Sequence, residues 1–375
     1  TSAVLPSPMR GRREHAVWVA RALGAFDAVV LNHSRAAQAG LGLLSDRIAA
    51  LAVLHGNGDH IHRIGAANSP NLDRIVCVSP RVHAEALRRG APESKLRLIV
   101  SGVPVGAEWP KAGKNWGDRP LRVIFLGRVD HSEKGALDVP PILARAAEMD
   151  CEFSFDLVGD GPELPAVRAE LAARGLGRAA RVHGALPHPQ AMDLLSTADV
   201  LLMPSRTEGL PIVLLEAMAR GVVPAASLLA GSTDVIVQDG RSGLLIPVGD
   251  VEAFAAALVK LSDPALRREM SRQAWATALE HFSEKRMCEQ YASLLEESVA
   301  ERRAGRAAAR TGRVDPSLFG IEYHLPPVVM ASARRAVRAC RAVGRFLVRP
   351  GRTPAAPGIR TAGAATTAPP HSDLE

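Results

Sequence analysis

An α/β protein of two parallel-sheet domains is the fold class the sequence predicts, and three observations carry that expectation. Short apolar runs alternate with segments of helical periodicity along most of the chain, the habit of parallel sheets whose strands are joined by crossover helices. At 375 residues and 47% hydrophobic content the chain can bury two cores of ordinary size. A stretch holding Pro104, Pro110 and Pro120 among Gly106, Gly113 and Gly117 interrupts the alternation and divides the chain near its first third.

Element by element, residues 14–24 read as a helix and 27–31 as a strand, followed by a second helix and a strand over 49–54 that ends at His55-Gly56-Asn57-Gly58. Asp73 to Ser79 forms the next strand, and Ser79-Pro80 is the cap of a helix ending near Gly90. Leu96 to Val100 closes this half. Residues 1–108 are thus the first domain and 109–120 the linker. From Val123 to about Leu261 strand and helix repeat again; Pro264 onward is helical, with a break at Phe282-Ser283 before a helix over 284–295. The second domain takes in residues 121–300, and 301–375 form a tail rich in Arg and Ala. Within that tail Val328 to Val348 fits a helix with Arg334, Arg338, Arg341 and Arg345 on one face and Val329, Ala336, Cys340, Val343 and Leu347 on the other. Residues 350–375, rich in Pro, Ala, Gly and Thr, have the composition of a disordered segment.

The net charge of +7 is unevenly placed. Residues 301–375 hold 13 Arg, no Lys and 5 acidic residues, whereas the preceding body holds 33 basic and 34 acidic residues. A nearly neutral body with 4% aromatic residues excludes nucleic-acid binding as the core's business. Cys77, Cys151, Cys288 and Cys340 form no CxxC pair, so a reduced, cytoplasmic setting is expected. No run approaches the ~18 uninterrupted apolar residues of a membrane span. Asp59, His60 and His62 make a D-H-x-H cluster, but no further ligand set of metal-binding spacing accompanies it, so an exposed loop and no metal are expected there.

The densest chemical information lies in Pro204 to Gly221. A strand over 199–204 runs into a polar turn presenting Glu208, and an apolar helix then starts near Pro211 and carries Glu216 in its second turn. A helix start exposes unpaired N–H groups and the positive end of the dipole, which stabilise an anion such as a diphosphate. Two carboxylates beside it can accept hydrogen bonds from hydroxyl groups. Arg128 and Lys134 follow the strand Leu121 to Leu126, at the carboxyl end where open α/β sheets bind ligands, and two cations there suit a departing phosphate. Ordinary surface basicity is the plain alternative for that pair. An unpartnered charge at Glu216, inside Leu214-Leu215-Glu216-Ala217-Met218, would be costly if that turn is buried.

In these residues the chain resembles retaining glycosyltransferases of the GT-B fold, family 4 type, also described as glycosyl transferases group 1. Glu208 and Glu216, with seven residues between them, match the family's paired glutamates. The strand ending in Gly127-Arg128, the Lys134-Gly135 pair, the turn Gly159-Asp160-Gly161-Pro162, Val182-His183-Gly184 and Ser242 to Pro247 follow in family order. The resemblance spans roughly residues 75–300. It implies two Rossmann-like domains facing a cleft, with the last helix crossing back to the first. It also implies transfer of a hexosyl unit from a nucleotide sugar to a hydroxyl with retention, in polysaccharide or glycolipid synthesis, without a cofactor.

By the same resemblance Arg128 and Lys134 hold the diphosphate, Glu208 lies near the sugar hydroxyls, and Glu216 bonds the ribose. Gly127, Gly159, His183, Gly184, Gly209, Leu210 and Pro211 line the donor site, Gly209 allowing close approach. His55 ends a first-domain strand where the family often has a histidine facing the sugar; a packed or capping histidine is the other reading. Two departures stand out. The loop after the helix reads Ala230-Gly231-Ser232-Thr233-Asp234 where the family has two glycines and a glutamate. The first domain, opening at Thr1, also lacks counterparts of the family's first strands and Gly-rich loop, so an incomplete acceptor domain is expected. The acceptor is expected to be a saccharide or a lipid-linked molecule, with peripheral contact at the inner membrane face through 328–348; a helix packed on the body is the alternative for that segment. Rival functions are a catalytically inactive nucleotide-binding partner subunit, a glycoside hydrolase using the two glutamates, or a nucleotide-sugar epimerase.

Overall fold

The computed structural model describes residues 12–315 apart from 33, 57, 67 and 118. The expected helix over 328–348 and the segment 350–375 lie outside the described residues.

The first half is laid out as α1 (Arg12–Leu23), β1 (Ala28–Leu31), α2 (Arg35–Ala39), β2 (Ala49–Leu54), α3 (Asp59–Gly65), β3 (Arg74–Cys77), α4 (Pro80–Arg88) and β4 (Leu96–Leu98). Its sheet has the order β1-β2-β3-β4 with every pair parallel. Every residue of β2 and β3 is buried, which is why Ala49 to Leu54 carries no polar alternation. Ser79 caps α4 as its sequence announces, its Oγ accepting from the Val82 N–H.

The second half contains β5 (Leu121–Leu126), α5 (His131–Lys134), α6 (Val139–Glu148), β6 (Phe153–Val158), α7 (Leu164–Ala173), β7 (Ala180–Gly184), α8 (His188–Thr197), β8 (Val200–Met203), α9 (Ile212–Ala219), β9 (Val223–Ser227), β10 (Leu244–Ile246), α10 (Val251–Lys260), α11 (Pro264–His281) and α12 (Glu284–Arg303). The sheet order is β10-β9-β8-β5-β6-β7, again all parallel. Strand order reverses at β5, which pairs with β6 on one side and β8 on the other. Such a reversal opens a crevice beyond the carboxyl ends of the two strands that diverge from it.

Two hydrophobic cores result. One fills the face of the second sheet covered by α6, α7 and α10. The other covers the opposite face through α8 and α9 and continues into the first sheet and α12. The chain passes between the halves twice, and the two passages are bonded together: the Val103 N–H donates to the Phe282 carbonyl at 2.9 Å and the Glu284 N–H to the Val103 carbonyl at 2.8 Å. Gly102 is required there, because a Cβ would stand 2.5 Å from the Ser283 carbonyl oxygen.

Two local expectations change, and one contact is new. Residues 59–65 form α3 rather than an exposed loop, and His62 faces inward with 3% exposure. The helix over 284–295 continues to Arg303 and returns to pack against β2. The start of the basic tail is bound to the first sheet: Arg302 Nε donates to Asp73 Oδ1 at 2.7 Å, Arg310 to the Ser45 and Ile48 carbonyls, and the Gly312 N–H to the Gly42 carbonyl.

Candidate active site

The crevice at the strand reversal is where the chemistry-bearing residues converge. β5 ends in Leu126 and delivers Gly127 and Arg128; β8 ends in Met203 and delivers the turn to Glu208. The two loops are clamped to one another. The Arg206 and Thr207 N–H groups donate to the Glu133 carbonyl, and the Arg206 guanidinium donates to Asp138 at 2.8 Å. Gly135, at φ +63°, packs so closely that a Cβ would lie 2.0 Å from the Pro204 carbonyl oxygen. That contact brings Lys134 against the turn, where its Nζ donates to Glu208 Oε1 at 2.6 Å. Ser205 Oγ donates to the same oxygen at 2.8 Å. Glu208 is 9% exposed, so it is held in a fixed polar setting rather than solvated at a helix start.

Arg128 takes a different partner, donating to Glu133 Oε2 at 2.5 Å while standing 3.7 Å from Asp130. It remains about half exposed at the mouth. The glycine turn after β6 is built against β5: a Cβ on Gly159 would meet the Gly127 carbonyl oxygen at 1.7 Å, and one on Gly161 the Val129 carbonyl oxygen at 2.2 Å. Those glycines let two strand ends touch, whereas a Cβ on Gly127 would meet nothing. His183 lies on the edge strand β7 and donates to Asp156 Oδ1 at 2.7 Å, and the Gly159 N–H donates to the Gly184 carbonyl.

α9 begins at Ile212 with Pro211 as its cap, and Leu210 and Pro211 are buried beside it. Leu214, Leu215, Ala217 and Met218 drive the helix into the core, leaving Glu216 at the edge with its side chain 15% exposed. His188, at the first position of α8, donates from Nε2 to Glu216 Oε1 at 2.9 Å. No local signal in the sequence marks His188. It sits in no motif, and only the packing of α8 beside α9 joins it to Glu216.

His55 enters from the first sheet, at the end of β2. Its Nε2 donates to Asn32 Oδ1 at 2.8 Å, and burial pushes its pKa down to about 4, so the ring is neutral at pH 7. Gly209 meets this strand end directly: a Cβ there would be 2.6 Å from Gly56 Cα and 3.0 Å from the His55 carbonyl oxygen. The close approach that Gly209 permits is thus made by the first domain's backbone. A second contact joins the halves where the Arg81 N–H donates to the Gly231 carbonyl at 3.0 Å, from the first turn of α4 to the altered loop. The structure therefore gathers Arg128, Lys134, Glu208 and Gly209 in the crevice with His55 opposite, and places Glu216 on α9 with His188.

Among the described residues no group of three or more His, Cys, Asp or Glu side chains could hold a metal ion. No described helix is long and apolar enough to cross a membrane.

Two parallel-sheet domains that meet across a cleft, with a helix that crosses back from the second to the first, define the GT-B architecture. Residues 120–263, which contain the crevice, match the family described as Glycosyl transferases group 1. The chain is 32% identical over 163 residues to alpha-D-kanosaminyltransferase of Streptomyces kanamyceticus, covering 42% of this chain and 40% of that protein. It is also 32% identical over 223 residues to D-inositol 3-phosphate glycosyltransferase of Kribbella flavida, covering 54% and 51%. The chain thus spans about half the length of the curated relatives it matches. Among solved structures, HepE of Anabaena in complex with UDP superposes with a TM-score of 0.63 at 17% identity, covering 75% of this chain and 82% of that one.

Proposed function

We propose that the protein is a retaining glycosyltransferase that moves a hexosyl unit from a nucleotide sugar to a hydroxyl acceptor. The observation that carries the reading is the Lys134–Glu208–Ser205 cluster at the strand reversal, beside Arg128 and the start of α9. The C–O bond to the diphosphate breaks as the acceptor oxygen bonds the same anomeric carbon; the electron pair leaves on the diphosphate, whose freed oxygen takes up the hydroxyl's proton. Arg128 and Lys134 counter that growing charge. An ammonium has three N–H donors, so the bond from Lys134 to Glu208 does not exhaust it. Glu208 orients both the lysine and the sugar hydroxyls, and neutral His55 faces the transferred sugar as a hydrogen-bonding group. Gly127, Gly159, His183 and Gly184 would border the nucleoside.

Transfer without a cofactor belongs to the same proposal. A saccharide or lipid-linked acceptor in polysaccharide or glycolipid synthesis, and contact of 328–348 with the inner membrane face, belong to it as well. The different partners of the two glutamates, Lys134 for one and His188 for the other, suit separate binding roles better than the facing acid and nucleophile of a hydrolase.

The test is release of nucleoside diphosphate from UDP-, GDP- and ADP-sugars with a panel of hydroxyl acceptors, and the anomeric configuration of the product by NMR. Lys134→Ala and Glu208→Gln are expected to lower turnover by about 10²–10³-fold, the cost of removing one charge-stabilising group. An inverted product would refute retention. Nucleotide binding without turnover under every acceptor condition would favour the inactive partner subunit.

A further inference from the structure

His188 stands outside every motif of the chain, yet its Nε2 supplies a side-chain hydrogen bond to the carboxylate of Glu216 at 2.9 Å. The surroundings of Glu216 explain why that bond matters. Its neighbours Leu214, Leu215, Ala217 and Met218 are all buried and apolar. Arg220, one turn on, spends its NH1 on the Glu216 backbone carbonyl at 2.9 Å. A carboxylate on an apolar helix, 15% exposed, needs a partner to hold one rotamer. The partner comes from the start of α8, the helix that follows β7 with His183 and Gly184 at its end.

We propose that His188 is a nucleoside-positioning residue that aims Glu216 at the vicinal diol of a ribose. This rests on the proposed donor site. An ionised carboxylate has about four lone-pair positions, and one N–H from His188 leaves room for two hydroxyl donors. The imidazole, 39% exposed, stands beside the carboxylate, where a ribose bonded to Glu216 would pack against it. The resulting device recognises a ribonucleoside diphosphate by its sugar, separately from the phosphate-binding pair Arg128 and Lys134.

The discriminating experiment is calorimetric titration of wild type, His188→Ala and His188→Gln with UDP, GDP and ADP, and with the 2′-deoxy form of each. Wild type is expected to bind one of the three and to prefer its ribo form. His188→Ala is expected to bind that nucleotide about five- to tenfold more weakly and to lose most of the ribo preference, the loss being that of one hydrogen bond to a charged group. His188→Gln, which keeps an N–H donor, should retain both within about twofold. Equal affinity and an unchanged ribo-to-deoxy ratio in His188→Ala would overturn the proposal, as would an equal loss for both forms or a failure of glutamine to rescue. If wild type binds none of the six while melting cooperatively, the donor-site reading itself fails, an outcome separate from these. A melting curve of each variant checks that α8 remains folded.

Discussion

Single side chains in this protein are controlled by what they meet in space, and Lys111 shows it as clearly as the crevice does. This linker residue is 6% exposed, and its ammonium donates to the Ser196 and Ala198 carbonyls. Burial, followed by the charge of Lys114, pushes its pKa down to about 7 from 10.5. The folded state therefore resists protonation more than the unfolded chain does. The cost is absent above pH 10.5, grows as pH falls, and is fully present below about pH 7. Lys111→Met is expected to gain stability relative to wild type as pH falls from 10 to 6, by up to about 2–4 kcal/mol. Chemical denaturation at several pH values checks this; a pH-independent difference would contradict it. Asp199 nearby is a contrasting case. Burial opposes its ionisation, but hydrogen bonds from Arg119 and Lys114 outweigh that and hold it down to about 2. The two linker cations thereby tie residues 114–119 to the start of β8.

At the scale of elements, the decisive contacts are between loops that bring no side chain of their own. Gly209 closes on Gly56 and His55 from the other domain, and Gly135 closes on Pro204 within its own domain. A methyl group at 209 would meet backbone atoms at 2.6 Å and 3.0 Å, and backbone cannot yield without moving the domain that carries it. Gly209→Ala is therefore expected to separate His55 from the Glu208 turn. Turnover should fall about 10²-fold, the scale of a 1 Å misplacement, with a small change in melting temperature. Turnover and a melting curve on the same preparation test this, and an unaltered rate would mean the contact is not part of the working cleft. The glutamate pair, the glycine turn and the cap at Ser79 were legible in sequence because each is a local pattern. His188 was not, since its partner is 28 residues away and belongs to another helix. Nor was the inward side of His62: a seven-residue helix with two histidines and no flanking cap has too little periodicity to announce a face.

Across the whole molecule, charge that looks like surplus in composition is spent on joining the ends of the fold. Arg302 and Arg310 converge on Asp73, whose side chain is 4% exposed and which also accepts from the Ala50 N–H at 2.8 Å. Arg74 bonds Glu297 and Glu301 of α12 at 2.9 Å and 2.8 Å. These groups lie at the amino ends of β2 and β3, away from the cleft, and fasten the crossing helix to the first sheet. Removing one charge from such a buried network costs about 3–5 kcal/mol, because the others lose their partner. Asp73→Asn should accordingly lower the melting temperature by roughly 10 °C and speed proteolysis within 304–315. A melting point within ~2 °C of wild type would show that the network carries little of the stability.

The sequence by itself determined the alternation of strands and helices, the cap at Ser79, and the spacing of the carboxylates and cations that follow β5 and β8. Periodicity, turn chemistry and motif spacing are properties of neighbouring residues, so they survive without a structure. Tertiary structure alone decided that strand order reverses at β5, and that Lys134 rather than solvent partners Glu208. It also decided that Gly209 touches Gly56, and that the first arginines of the basic tail bind the sheet where the chain began. Each of these depends on the free energy of burying groups far apart in the chain, which only the packed fold can set.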